Sequence, residues 1–242
     1  MKRMVKDFIR TRPALYDVLK SLKRRFGNQP DPTYDWFDQF SRSQPSVRFV
    51  QIGAADGLRN DPIREFVLRD GWQGVLIEPL PDVFELLKRN YGPRRGLTFL
   101  NAAISDTDGS LSFWTFQEAF LKALPTEQRL NYLQKASFDK NHVRKFLAGA
   151  SEDVLKELHV PCRTLTSILQ EHMPQGFDLL VIDAEGHEPR IIHSVTTFTL
   201  KPKAIFFESH NIPRGEMTAL TGILESAGYR VEQIEGDSVA VL

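Results

Sequence analysis

The chain has almost no cysteine. Cys162 stands alone among 242 residues, so no intramolecular disulfide can staple the fold, and stability has to come from burial. A lone thiol fits a reducing compartment and is expected to be a small buried hydrophobe. Long hydrophobic runs are missing too: no stretch of 18 apolar residues exists, so no transmembrane helix is expected. Net charge is absent, with 31 Lys+Arg against 31 Asp+Glu, so bulk electrostatics give no reason to expect nucleic acid as a partner. The N-terminus lacks the apolar centre of a secretory leader, which leaves the cytoplasm as the default location. No internal repeat or low-complexity tract breaks the chain. What remains is an ordinary globular composition, 41% hydrophobic and 26% charged, enough for one α/β domain with decoration.

The charge is balanced only in total. Residues 1–27 carry nine basic residues (Lys2, Arg3, Lys6, Arg10, Arg12, Lys20, Lys23, Arg24 and Arg25) and two acids, Asp7 and Asp17. Apolar residues at helical spacing, interrupted by Pro13, make residues 4–26 a basic amphipathic helical segment. It either packs on the domain or makes weak peripheral contact with an anionic membrane surface. Residues 27–34, GNQPDPTY, read as a linker. The expected division is a helical extension with linker over 1–46, then an α/β domain over 47–242.

That domain starts with its most informative stretch, RFVQIGAADG at 48–57. An apolar strand stops in a small-residue turn, a helix follows, and a second strand, GVLIE, ends in Glu78. Such a unit holds an adenosine-containing cofactor: the turn lets backbone approach the ligand and the acid takes ribose hydroxyls. The dinucleotide pattern G-x-G-x-x-G is absent. Gly53 and Gly57 are four apart, with Ala54, Ala55 and Asp56 between them, and Asp56 would put negative charge where phosphates should sit. A cofactor without phosphate fits better, and S-adenosyl-L-methionine is such a cofactor.

Further along, Asp61–Pro62 reads as a helix start, 81–91 as a helix and 97–104 as one strand. Asp108-Gly109 signals a hairpin into 111–116. Residues 117–159 read as a helical and loop insertion without strands, the kind of excursion that often carries substrate contacts. Strand patterns return at 160–165, 177–183 and 204–209, alternating with helices, and two strands flank Gly236-Asp237 at the end. The result is a parallel sheet with helices on both faces and an antiparallel C-terminal hairpin. Phe113, Trp114 and Phe116 read as core rather than as a sugar platform.

Ligands in such sheets sit at the carboxyl ends of the strands. Those ends supply Gly53 to Gly57, Glu78 and Pro79, Ala102 and Ala103, then Asp183, Glu185, His187 and Glu188, then Glu208 and His210. Acids at four strand ends are hard to explain as packing, because buried unpaired carboxylates are costly.

The runs VQIGAADGLRNDPIREF, GWQGVLIEPLPDVFELLKRNY, FLNAAISDTDG, PCRTLTSIL and FDLLVIDAEGHEPRII, with a strand ending FES, occur in order over about 47–210. Together they resemble the FkbM-type methyltransferase family. The IDAEGHE block with IEPLP is the specific part. The resemblance implies a class I, Rossmann-like domain with a mostly parallel seven-stranded sheet. It also implies S-adenosylmethionine-dependent methyl transfer to a hydroxyl of a sugar, glycan or secondary metabolite. Gly53, Ala55 and Gly57 would then turn under the methionine moiety, Glu78 would hold the ribose, and Ala102 or Ala103 would lie by the adenine. Asp183 would reach the cofactor's amino end or the acceptor. The family often has an acid two residues before the first glycine, where this chain has Gln51, which can accept a hydrogen bond but carries no charge.

Methyl transfer to an alcohol benefits from a general base. His187, Glu185 and His210 are the candidates. An alternative is a magnesium or manganese ion held by Asp183, Glu208 and His210. Two rival classes use the same kind of sheet: a nicotinamide-dependent oxidoreductase, disfavoured by the glycine spacing, and a non-catalytic binding module.

Overall fold

The computed structural model describes residues 12–27, 30–196, 198 and 201–242. Among these, no helix is long and apolar enough to cross a membrane. Of the basic segment 1–27, Lys2, Arg3, Lys6 and Arg10 lie outside the described residues.

The first two described helices are α1 (Pro13–Phe26) and α2 (Pro32–Ser43). The second begins inside the stretch expected to be a linker. Asp31 accepts a hydrogen bond from the Tyr34 amide at 3.0 Å and Pro32 takes the first helical position, a pairing that starts helices. Phe37 of α2 is fully buried with its ring centroid 4.8 Å from that of Phe206. Residues 32–43 therefore belong to the same hydrophobic core as the sheet, and a boundary at residue 46 does not separate two cores. Helix α1 is tied on by ion pairs, Asp17 with Arg64 at 2.9 Å and Arg24 with Asp31 and Glu65. Val18, Leu22 and Phe26 remain exposed.

The domain continues with β1 (Arg48–Ile52), α3 (Arg64–Arg69), β2 (Gln73–Ile77), α4 (Pro81–Tyr91) and β3 (Leu97–Leu100). Helix α3 begins later than the Asp61–Pro62 signal, yet Asp61 Oδ1 still accepts from the Ile63 and Arg64 amides. The expected strand 97–104 divides. After β3 the chain leaves the main sheet, and β4 (Ala103–Ile104) pairs with β6 instead, where β6 spans Leu155–Arg163. Strand β5 (Gly109–Phe116) also pairs with β6, antiparallel. The Asp108-Gly109 hairpin is thus corrected to a pairing across the insertion. That insertion contains α5 (Glu118–Ala123), α6 (Thr126–Leu133) and α7 (Lys140–Arg144). Its last residues, 155–159, are strand rather than loop, because the long β5 offers them a ladder.

The remainder follows the expected alternation: α8 (Leu165–His172), β7 (Leu179–Ile182), α9 (Glu188–Thr196), β8 (Ala204–Glu208), α10 (Arg214–Ser226), β9 (Arg230–Ile234) and β10 (Asp237–Val241). The main sheet has seven strands in the order β3-β2-β1-β7-β8-β10-β9. Strand β10 runs antiparallel to both neighbours, and the other pairings are parallel. The mostly parallel seven-stranded sheet expected from the sequence is the one observed.

Alternation along the strands builds two cores. Val50, Ile52, Ile77, Leu180, Ile182 and Phe207 face α8, α9 and α10 through residues such as Ile168, Ile192 and Leu224. Phe49, Leu76, Leu179, Val181 and Phe206 face α2, α3 and α4 through Phe37, Phe66 and Leu87. Each fully buried large side chain contributes about 1.5–3 kcal/mol. Cys162 is buried beside Phe113 and Val160 in a smaller third cluster under the β5–β6 ribbon. The order places the topological switch between β1 and β7, where chain connections run away in opposite directions and leave a crevice.

Candidate functional site

At the switch, the ends of β1 and β7 are in near contact. Gly53 has φ 75°, and a Cβ there would overlap the Asp183 carbonyl oxygen, so only glycine lets the two strand ends approach this closely. Two cavities open on either side of the junction. The first encloses about 660 Å³ including space open to solvent, and is largely apolar. Ile52, Ala55, Pro79, Leu80, Ala102, Ala103, Phe113 and Ile191 are among its walls. The second encloses about 1390 Å³ on the same measure and is rich in charge, with Lys20, Arg59, Lys135, Glu208, Glu235 and Asp237 on its walls. Gly53, Ala55, Gln134, Asp183 and Glu185 line both.

Glu78 lies in the first cavity, 6% exposed. Its carboxylate accepts from the Ala55 amide at 3.0 Å and the Leu80 amide at 2.9 Å. Burial pushes its pKa up to about 7 despite those two donors. Asn101 donates to the Glu78 and Pro79 carbonyls and fixes the turn beneath it. The carboxylate therefore holds the glycine turn in shape while facing the cavity, which suits a group that receives ribose hydroxyls.

Not every residue of the turn reaches a cavity. Ala54 lines the second cavity. Asp56 lines neither; its oxygens accept from the Leu58 and Arg59 amides and from Arg59 Nε. Its charge is consumed within its own turn instead of facing a ligand, which corrects the cofactor contact expected of it. Gly57 also lines neither, and a Cβ there would strike Leu87 and Tyr91, so this glycine serves the packing of α4.

Asp183 lies on the floor common to both cavities. The residue is exposed to that space and has protein on its other sides. Burial, then the nearby Glu208, Glu185 and Glu188, hold its pKa well above the carboxylate range. No hydrogen bond to its carboxylate is formed by the described residues. Carboxylate oxygens of Asp183, Glu188 and Glu208 come within 4.8 Å of one another. Glu188 is fully buried and accepts from the Ala184 and Gly186 amides, which braces the loop after β7.

The three expected bases separate. Glu185, with φ 48°, has Lys135 Nζ at 2.5 Å on one oxygen and His142 Nε2 at 2.8 Å on the other. Both oxygens are engaged in fastening the insertion to the loop, so the expectation of Glu185 as a free base is corrected. His210 is exposed, 3.5 Å from Glu208, and lines neither cavity. It does not join the acid group in which a metal role was expected for it. His187 lines the apolar cavity with its ring 4.9 Å from that of Phe138. Burial and Arg190 depress its pKa, so it is a neutral imidazole at neutral pH, on the apolar side of the junction.

Several wall residues carry no signal in the sequence. Leu133, Gln134, Ala136 and Phe138 of the insertion close the apolar cavity, and Lys135 reaches the charged one. Arg59 also lines the charged cavity. Phe113 forms part of the core and of the cavity wall together.

The cavity pair fits an S-adenosylmethionine-type ligand on chemical grounds. An apolar chamber faced by one buried carboxylate, Glu78, adjoins a charged chamber across Gly53, where a Cβ would not fit.

Comparison with known proteins identifies a family. The model of the methyltransferase FkbM domain matches residues 51–231. No curated protein matches. Among solved structures, methyltransferase FkbM from Methylobacillus flagellatus KT is 12% identical with a TM-score of 0.47, covering 81% of this chain and 44% of that one. The chain thus spans less than half the length of that protein. Precorrin-6y C5,15-methyltransferase from Geobacter metallireducens GS-15 is 14% identical with a TM-score of 0.41, covering 84% and 86%. A human methyltransferase 10 domain containing protein is 13% identical with a TM-score of 0.47, covering 96% and 95%.

Proposed function

The chain belongs to the FkbM methyltransferase family, and on that premise we propose that it methylates a hydroxyl oxygen of a sugar, glycan or polyhydroxylated metabolite. S-adenosyl-L-methionine, when bound, supplies a methyl group already activated on a sulfonium. The observation that carries this reading is the position of Asp183, on the floor shared by the two cavities.

The apolar cavity suits the nucleoside, with Glu78 toward the ribose and Ala102 and Ala103 toward the base. The part of the charged cavity around Glu208 and Asp237 suits the acceptor. Glu208 and Asp237 on its wall are hydrogen-bond acceptors for a ligand with many hydroxyls, and burial together with Glu208 pushes Asp237 up to about 6. Holding donor and acceptor in line contributes up to about 7–11 kcal/mol through proximity and orientation. Asp183 would take the acceptor's hydroxyl proton on a carboxylate oxygen as the new oxygen–carbon bond formed at the expense of the methyl–sulfonium bond, the sulfur leaving as a neutral thioether. Its raised pKa makes it a better base than an ordinary surface carboxylate.

The test is a comparison of Asp183→Asn with His187→Ala, using mass spectrometry to find a hydroxylated acceptor that gains one methylene mass. Asp183→Asn should lower turnover by about 10²–10⁴-fold. In the unmodified protein turnover should rise with pH as Asp183 ionises, and that rise should vanish in the variant. His187→Ala should leave saturated turnover within a few-fold. Full turnover in Asp183→Asn would overturn the role given to Asp183.

A further inference from the structure

We infer that Arg59 receives the carboxylate of the cofactor's amino-acid end, with Gln51 beside it accepting from the ammonium group. This rests on the S-adenosylmethionine reading above and goes beyond it by naming the residues that recognise the charged end.

Arg59 is only 8% exposed. Its Nε donates to Asp56 Oδ2 at 3.1 Å, so one edge of the guanidinium is fixed by the turn that also carries Gly53 and Gly57. Its Nη2 is buried and has no hydrogen-bond partner among the described residues. Guanidinium donors stay charged at every relevant pH, and leaving one unsatisfied is costly. The side chain lines the charged cavity beside Gly53, Ala54 and Ala55. Gln51, 3% exposed, lines the same cavity, and its Oε1 likewise has no partner. Its Nε2 lies 3.4 Å from Asp61 Oδ1, which orients the carbonyl oxygen away from that acid.

The wall next to the glycine turn therefore offers one unsatisfied cationic donor and one unsatisfied neutral acceptor. A zwitterionic α-amino acid presents the complement, a carboxylate and an ammonium group. Of the other cations on this cavity, Arg24 is paired with Asp31 and Glu65 and Lys135 with Glu185, while Lys20 donates to the Asp61 carbonyl oxygen at 3.4 Å. The buried Asp56–Arg59 pair gives Asp56 its role. It holds the guanidinium in place for the ligand while taking no part in binding itself.

Calorimetric titration of two ligands tests the assignment. S-adenosylhomocysteine carries the amino-acid end, and 5′-methylthioadenosine is the same nucleoside thioether without it. Arg59→Ala and Arg59→Lys should weaken S-adenosylhomocysteine, by roughly 10- to 100-fold for the alanine variant, as expected for a lost hydrogen bond between charged groups. Affinity for 5′-methylthioadenosine should stay within about threefold of the unaltered protein, which also reports that the turn is intact. Gln51→Ala should show the same pattern with a smaller loss. Unchanged S-adenosylhomocysteine affinity in Arg59→Ala would overturn the assignment, as would equal losses for both ligands in both Arg59 variants. If the unaltered protein bound neither ligand, the cofactor reading would fall and this assignment with it.

Discussion

Replacing Glu78 with Gln should change the pH dependence of stability in a way that only a buried, cavity-facing carboxylate can. The folded protein holds Glu78 at about 7, against 4.5 for an ordinary glutamate, chiefly because the group is buried. At about 1.4 kcal/mol per pH unit, that difference makes its ionisation cost about 3 kcal/mol of folding stability. The sign follows from proton counting. Below about pH 4.5 the group is protonated in both states and nothing is lost. Between about pH 4.5 and 7 the unfolded chain has released the proton and the folded chain keeps it, so stability falls as pH rises. Glu188, pushed up to about 7, and Asp237, at about 6, act in the same direction. The measurement is therefore a difference: urea unfolding of the unaltered protein and of Glu78→Gln across this range. The variant carries a pH-independent penalty of about 1–3 kcal/mol, because each Glu78 oxygen faces a backbone amide and the Gln NH2 group cannot accept from one. On top of that, its stability relative to the unaltered protein should improve by about 3 kcal/mol from acid to neutral pH. Adding S-adenosylhomocysteine should shrink the pH-dependent part, since ribose hydroxyls donating to the carboxylate favour its charged form. A difference that stays flat with pH would refute the argument.

Two further outcomes test the junction and the insertion. Gly53→Ala puts a Cβ onto the Asp183 carbonyl in a backbone region hostile to side chains, so thermal unfolding should show a loss of about 2 kcal/mol or more together with lost S-adenosylhomocysteine binding; normal stability would mean the strand ends are not so tightly apposed. Glu185→Ala leaves Lys135 and the buried His142 without their partner, so hydrogen exchange in residues 118–154 should speed up well before the sheet is affected; uniform protection would show that the insertion is held by something else.

The sheet was readable because its signals are local. Apolar runs of strand length, each closed by glycine or acid, mark β1, β2, β7 and β8 without reference to anything distant. Two misreadings in the strands share one cause, which is pairing between segments far apart in sequence. Residues 97–104 look like one strand, but only the partner β6, more than 50 residues away, decides that Ala103–Ile104 leaves the main sheet. Gly109–Phe116 carries a hairpin turn signal on its near side and finds its partner across the whole insertion. Helix α2 was hidden because Pro32 reads as a breaker until Asp31 is seen capping the Tyr34 amide.

The acids show the same limit at the scale of single atoms. Sequence places carboxylates at strand ends and gives no means of ranking them. What ranks them is how many donors each has already found and whether it still faces a cavity, as Glu78 does despite its two amide donors. Glu188 accepts two backbone amides, Asp56 takes two amides and a guanidinium, and Glu185 has an ammonium and an imidazole. All three are committed to holding loops. Asp183 has no hydrogen bond to its carboxylate among the described residues and lies where both cavities meet, so an incoming ligand or proton finds free acceptor capacity there. Arg59 is the donor counterpart, conspicuous only once its neighbour Asp56 has been shown to satisfy one edge of it and leave Nη2 unmet. A carboxylate or guanidinium is informative about function to the degree that the fold leaves it unsatisfied, and that balance is set by contacts between the glycine turn, the β7 loop and the insertion, which no single stretch of sequence contains.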